Sequence, residues 1–149
     1  MSLALVFPGQ GSQWLGMGRL LSQRYPEFRR MLEECDRAIR MHADWSLLEE
    51  LAADEKSSRL NRVDVIQPTI FAMQVSLATL WRSFGVEPDA VVGQSLGEIA
   101  AACVAGALSL EDAASVICRR SQLVKGTTGK GAMAVVGLSL EEARRALSG

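Results

Sequence analysis

The hydrophobic pattern opens with an unbroken apolar run, Leu3-Ala4-Leu5-Val6-Phe7, stopped by Pro8-Gly9. A run of that length bounded by turn residues predicts a buried strand. The polar, glycine-rich stretch from Gly9 to Trp14 predicts a loop, and helical patterning resumes near Met17. Over 26–41, Phe28, Met31, Leu32, Cys35 and Ile39 make an apolar stripe behind Pro26, which predicts an amphipathic helix. Trp45 to Ala53 reads as a short helix and Asp54 to Asn61 as a surface loop.

The pattern then changes character. From Gln67 to Phe84 apolar residues crowd most faces: Ile70, Phe71, Met73, Val75, Leu77, Leu80, Trp81 and Phe84. A helix apolar nearly all round is a core helix, so deep packing is expected, with Gly85 ending it and Pro88 preventing its resumption. A brief apolar run follows, Ala90-Val91-Val92, and after a turn comes the small-residue helical run Ile99 to Cys103. Ser109-Leu110-Glu111-Asp112 has the form of a capping box opening a helix to about Val124. Gly126 to Gly131 reads as a loop, Ala132 to Val136 as a strand, and Ser139-Leu140-Glu141-Glu142 as the capped start of a last helix. Strands alternating with helices predict an α/β fold with a parallel sheet, and the last strand and helix can belong to a second unit.

Composition narrows this only modestly. A chain of 149 residues, 48% hydrophobic and 22% charged, can bury one core. A net charge of −1 offers nothing to attract nucleic acid or an acidic membrane surface. The apolar runs are broken by Gln, Arg or Glu before they reach the length of a membrane span, and the N-terminus lacks a signal-peptide pattern, so a cytoplasmic protein without a membrane partner is expected. Cys35, Cys103 and Cys118 are odd in number and widely spaced; buried thiols are expected, not a metal site or disulfides.

The candidate chemistry lies between the apolar run at 90–92 and the helix that follows. Gly93-Gln94-Ser95-Leu96-Gly97-Glu98 is a Gly-x-Ser-x-Gly turn between strand and helix, the build of a nucleophile elbow. Gly93 and Gly97 are needed there because side chains would collide as strand and helix close on each other. The helix start aims free N–H groups at anything negative beside Ser95. Ser95 is then a candidate nucleophile for acyl-transfer chemistry, the alternative on the motif alone being a tight turn whose serine caps the helix; a nucleophilic serine needs a base. The one histidine, His42, lies in a polar junction between helices and reads as a surface residue.

A wider pattern carries a resemblance. Phe7-Pro8-Gly9-Gln10-Gly11-Ser12-Gln13-Trp14 with Gly16-Met17-Gly18, the block from Val91 to Leu110, and Arg119-Arg120-Ser121 together resemble the acyltransferase domain of modular polyketide synthases. Malonyl-CoA:acyl-carrier-protein transacylases and fatty acid synthase transacylase domains share much of this pattern. The resemblance implies a parallel-sheet, α/β-hydrolase-like large subdomain, of which 1–130 is the N-terminal part, and the start of a ferredoxin-like small subdomain over 131–149. It implies that Ser95 attacks the thioester of an extender acyl-CoA, with the backbone N–H groups of Leu96 and Gln10 holding the oxyanion. Arg120 would clamp the free carboxylate of a malonyl-type group through paired hydrogen bonds. The acyl group would pass to the phosphopantetheine thiol of an acyl carrier protein, beside neighbouring synthase domains such as a ketosynthase, with no bound cofactor and no metal.

The chain also departs from the family. Members usually carry histidine just before the serine, where this chain has Gln94, a change that bears on the pocket or the rate. The family's base is a histidine from the later part of the domain, so the chain is expected to be a first half with little transfer activity alone. Arg62-Val63-Asp64-Val65-Ile66-Gln67 resembles a segment associated with methylmalonyl-specific domains, which places Gln67 with the substrate-binding residues. Leu96 looks more like malonyl-specific members, so both extenders stay open. Two other readings compete: a serine esterase or thioesterase using the same elbow, and a non-catalytic structural or docking module.

Overall fold

A computed structural model of the chain describes residues 2–127, 129–131 and 135–147. The elements in order are β1 (Ala4–Phe7), α1 (Arg19–Arg24), α2 (Pro26–Arg40), α3 (Leu47–Ala52), α4 (Val63–Ser83), β2 (Ala90–Gly93), α5 (Gly97–Val104), α6 (Leu110–Lys125) and α7 (Leu140–Leu147). β1 and β2 pair in parallel, with Phe7 opposite Gly93. That register decides where the site lies. Both strands end at the same edge, so the chain leaving Phe7 and the chain leaving Gly93 emerge side by side, the place where α/β folds put their ligands.

α4 is the centre of the core and packs against α2, α5 and α6. Phe71, Ala72, Val65 and Thr69 are fully buried on it, and Phe28, Leu32 and Ile39 of α2 meet it from one side. The helix starts at Val63, a turn before the expected Gln67, because Arg62 is already extended and Asp64 fits the first turn. Pro68 therefore lies inside the helix, where its missing N–H leaves one carbonyl without a helical partner. Deep packing fails at the C-terminal end, where Trp81 and Phe84 are exposed and meet edge to face. Contrary to the expectation from apolar runs, α4 is long and apolar enough by composition to cross a membrane; 72% of that stretch is buried inside the protein, as a core helix requires.

The caps follow the sequence closely. Pro26 occupies the first turn of α2, and Ser46 and Ser109 accept hydrogen bonds from Glu49 and Asp112. Ser139 and Glu142 exchange bonds at the start of α7, whose residues bury nothing. The strand expected over 132–136 falls partly outside the described residues, at 132–134; Val135 and Val136 are exposed and outside any strand. Cys35 and Cys118 are buried, and burial pushes their thiols up to about 12 and about 11. Neither is a ready nucleophile.

Candidate active site

β2 leads into the elbow through a hydrogen bond from Gln94 N–H to the Phe7 carbonyl (3.0 Å), which prolongs the sheet by one residue. Ser95 then takes φ 55°, the one non-glycine residue with positive φ among the described residues. A strained non-glycine backbone at a tight turn is the mark of a nucleophile elbow. Bonds from Gly97 N–H to Gln94 and from Glu98 N–H to Ser95 close the turn into α5. Leu96 is fully buried while Ser95 beside it is exposed, so the turn is anchored on one side and offered to solvent on the other. A Cβ on Gly93 would fall 2.4 Å from Glu98 Cα, and one on Gly97 would fall 2.1 Å from the Phe7 carbonyl oxygen. The two glycines are thus required by close approach, as the sequence indicates.

The loop after β1 lies against this turn: a Cβ on Gly9 would sit 3.6 Å from Ser95 Cβ and 3.5 Å from the Gln94 carbonyl. The side-chain oxygen of Gln94 would lie 3.9 Å from the same Cβ on Gly9. Neither Gln10 N–H nor Leu96 N–H has a hydrogen-bond partner among the described residues. They are two free donors flanking Ser95 in sequence and in loop placement.

Arg120 reaches the site from α6. Its Nη2 donates to Ser95 Oγ at 2.9 Å and its Nη1 to Gln67 Oε1 at 2.6 Å. Gln67 Nε2 in turn faces Gln10 Oε1 at 3.5 Å, the outer limit of a hydrogen bond. Four of the six predicted site residues are therefore linked in a chain, Ser95, Arg120, Gln67 and Gln10, and Gln94 precedes Ser95 directly. Leu96 follows Ser95 directly and contributes its backbone. Arg119, the neighbouring cation, is exposed.

Sequence reasoning missed Gln74. Its Nε2 donates to the Pro8 carbonyl at 2.7 Å and so holds the start of the loop that carries Gln10. Gln67 and Gln74 are seven residues apart, two helical turns, so both project from one face of α4 toward the loop. Two glutamines at that spacing in an otherwise apolar core helix were the available signal. An apolar cavity of about 420 Å³, lined by Phe7, Met73, Leu77 and Trp81 among others, contains none of the predicted site residues.

Arg62 and Asp64 act at a distance from the serine. Asp64 pairs with Arg62 at 2.7 Å and with Lys125 of α6 at 2.9 Å, tying the start of α4 to the end of α6. The Arg62 hydrogen bond, followed by that of Lys125, pulls its carboxyl down to about 2. His42 lies between α2 and α3, where its carbonyl accepts from Gln122, and no described hydrogen bond or cavity joins it to Ser95. The described residues thus bring a serine hydroxyl and a guanidinium together; the hydrogen-bond partner of Ser95 Oγ is a cation and cannot take its proton.

Residues 4–148 match the family model described as acyl transferase domain. The chain is 58% identical over 134 residues to the spectinabilin polyketide synthase system protein NorA of Streptomyces orinoci, covering 90% of this chain and 7% of that protein. It is 53% identical over 141 residues to erythronolide synthase EryA3 of Saccharopolyspora erythraea, covering 95% and 4%. Among solved structures, the acyltransferase domain from module 8 of the salinomycin polyketide synthase matches with TM-score 0.89 and 47% identity over 98% of this chain and 34% of that one. The protein named MCAT from Streptococcus pneumoniae matches with TM-score 0.76 and 31% identity over 86% and 40%. The chain therefore spans a small part of these curated relatives and well under half of these solved chains.

Proposed function

Because the chain belongs to the acyl transferase domain family, with polyketide synthases as its relatives, we propose that it contributes to loading a malonyl-type extender unit from CoA onto Ser95 and from there onto the phosphopantetheine thiol of an acyl carrier protein. The observation that carries this reading is the 2.9 Å contact between the Arg120 guanidinium and Ser95 Oγ. A fixed cation one hydrogen bond from the nucleophile suits an acyl group that ends in a carboxylate.

The chemistry is a two-step exchange. Ser95 Oγ attacks the thioester carbonyl, its proton passes to a base, and the carbon–sulfur bond breaks to release the CoA thiol. The carrier thiol then attacks the acyl-serine ester and releases the serine. In both steps charge collects on the carbonyl oxygen, where the free N–H groups of Leu96 and Gln10 would stabilise it. An incoming carboxylate takes over the Arg120 donors and so releases the Ser95 hydroxyl. The clamp reads the carboxylate and not an added methyl, so malonyl and methylmalonyl both satisfy it. The strand–elbow–helix order fits a hydrolase-like large subdomain, residues from 131 on begin a smaller ferredoxin-like one, and the base is a histidine supplied by polypeptide beyond these residues. Neighbouring synthase domains such as a ketosynthase are the expected partners, in the cytoplasm, with no bound cofactor.

An esterase or thioesterase has no use for the guanidinium, and a docking module has none for the strained serine. Intact mass after incubation with malonyl-CoA and methylmalonyl-CoA separates these readings, using the chain alone and a polypeptide of the full length of its solved relatives. The longer protein should gain an acyl adduct that Ser95→Ala abolishes, and Arg120→Ala should lower malonyl loading by roughly a hundredfold while sparing acetyl. A longer protein left unmodified by both extenders would sink the assignment.

A further inference from the structure

Gln67 was expected among the substrate-binding residues, yet it is only 4% exposed. A side chain so enclosed is out of reach of an acyl group that approaches Ser95 from solvent. Its amide is engaged by the protein at both ends: Oε1 accepts from Arg120 Nη1 at 2.6 Å, and Nε2 faces Gln10 Oε1 at 3.5 Å. The helix behind it is fixed by the core, and Gln74, two turns on, holds Pro8 from the same face.

We propose that Gln67 is a positioning residue: it fixes the Arg120 guanidinium through a neutral acceptor, and so leaves the cation's charge available to the carboxylate of the substrate. A guanidinium on a long side chain can lie in many orientations, and each one lost before binding is a cost removed from binding. One buried acceptor on Nη1 sets the plane of the fork and points Nη2 at Ser95. The amide is the group that does this without neutralising charge. A carboxylate at the same place would hold the guanidinium as well or better, but would compete with the incoming anion for it. The second hand of the amide, toward Gln10, links the same residue to the loop that offers one of the two free N–H groups.

This inference rests on the carboxylate-clamp reading, and the test separates the two. Equilibrium affinities for malonyl-CoA and acetyl-CoA are measured on the full chain in a Ser95→Ala background, which prevents turnover, with Gln67→Leu and Gln67→Glu compared against that parent. Circular dichroism and thermal melting check that each variant is folded. The parent should bind malonyl-CoA more tightly than acetyl-CoA. Gln67→Leu should weaken malonyl-CoA about tenfold, the scale of a lost hydrogen bond to a charged group, and leave acetyl-CoA unchanged. Gln67→Glu should erase the malonyl preference although it keeps the acceptor, which a merely structural role does not predict. Folded variants that both keep the parent's malonyl-to-acetyl ratio overturn the positioning role. A parent that shows no malonyl preference overturns the clamp, and the inference with it.

Discussion

Two loops leave the same edge of the sheet, and they are built on opposite terms. The elbow after β2 is closed by contact: strand and helix approach until no side chain fits at Gly93 or Gly97. The loop after β1 is open: Gly9 has ordinary van der Waals room, and nothing lies within 4 Å of a Cβ on Gly11, which is held by its φ of 130° and by an N–H bond to Gln13 Oε1 at 2.9 Å. The elbow is fixed by close contact on its buried side, whereas the loop is held by two glutamines reaching out from α4. Ser95 therefore has a fixed position, and the loop opposite it sits on a tether.

The contrast breaks first at Gly97. A methyl there would meet the Phe7 carbonyl at 2.1 Å, so Gly97→Ala must push α5 off the sheet. A loss of about 3 kcal/mol or more in unfolding free energy is expected from such overpacking against backbone. Denaturant titration checks it, and a loss below about 1 kcal/mol would mean the elbow is not closed by contact. Gly11→Ala should cost less, about 1–2 kcal/mol, because only backbone strain opposes it. If the two substitutions cost the same, the loop is as tightly determined as the elbow.

The same contrast explains what was legible in the sequence. The elbow could be read because its requirement is local: strand, glycine, serine, glycine and helix lie within a dozen residues. The caps at Ser109 and Ser139 were legible for the same reason. Arg120 was placed by family resemblance and not by pattern, since its contact with Ser95 spans 25 residues and depends on how α6 lies across α4. Gln74 escaped because a lone glutamine in an apolar helix reads as an interruption until its partner Pro8 is in view. The start of α4 lies at Val63, a turn before Gln67, with the extended Arg62 marking the boundary and Pro68 inside the helix. Trp81 and Phe84 were expected inside because apolar character does not say which elements arrive to cover them.

Between the two loops in rigidity stands the α4–α6 pair that holds Gln67 and Arg120. Asp64 joins these helices, and its carboxyl is drawn down to about 2 by the Arg62 hydrogen bond first and Lys125 after it. The unfolded chain releases that proton near the ordinary value of about 3.9. A carboxyl depressed by folding contributes stability above that value and loses it as the pH falls toward 2. Arg62 and Lys125 are about half exposed, so screening holds the contribution to about 1 kcal/mol or less. Asp64→Asn should accordingly be less stable than the parent at pH 7, with the gap closing between pH 4 and 2. A gap that stays constant over that range would show that the ion pairs contribute nothing through charge.

Gly9→Ala is the mildest change and sharpens the comparison most finely. Its methyl would lie 3.5 Å from the Gln94 carbonyl and 3.6 Å from Ser95 Cβ, contacts that need no shift of either loop. Stability should stay within about 0.5 kcal/mol of the parent. The methyl nevertheless enters the space beside the nucleophile, so acyl loading by a protein of the solved relatives' length should slow without any loss of fold. Melting and intact-mass kinetics on the same preparation give both readings. A loss of stability comparable to that of Gly97→Ala would place the β1 loop under the same close contact as the elbow, and the distinction between a fixed serine and a tethered loop would fail.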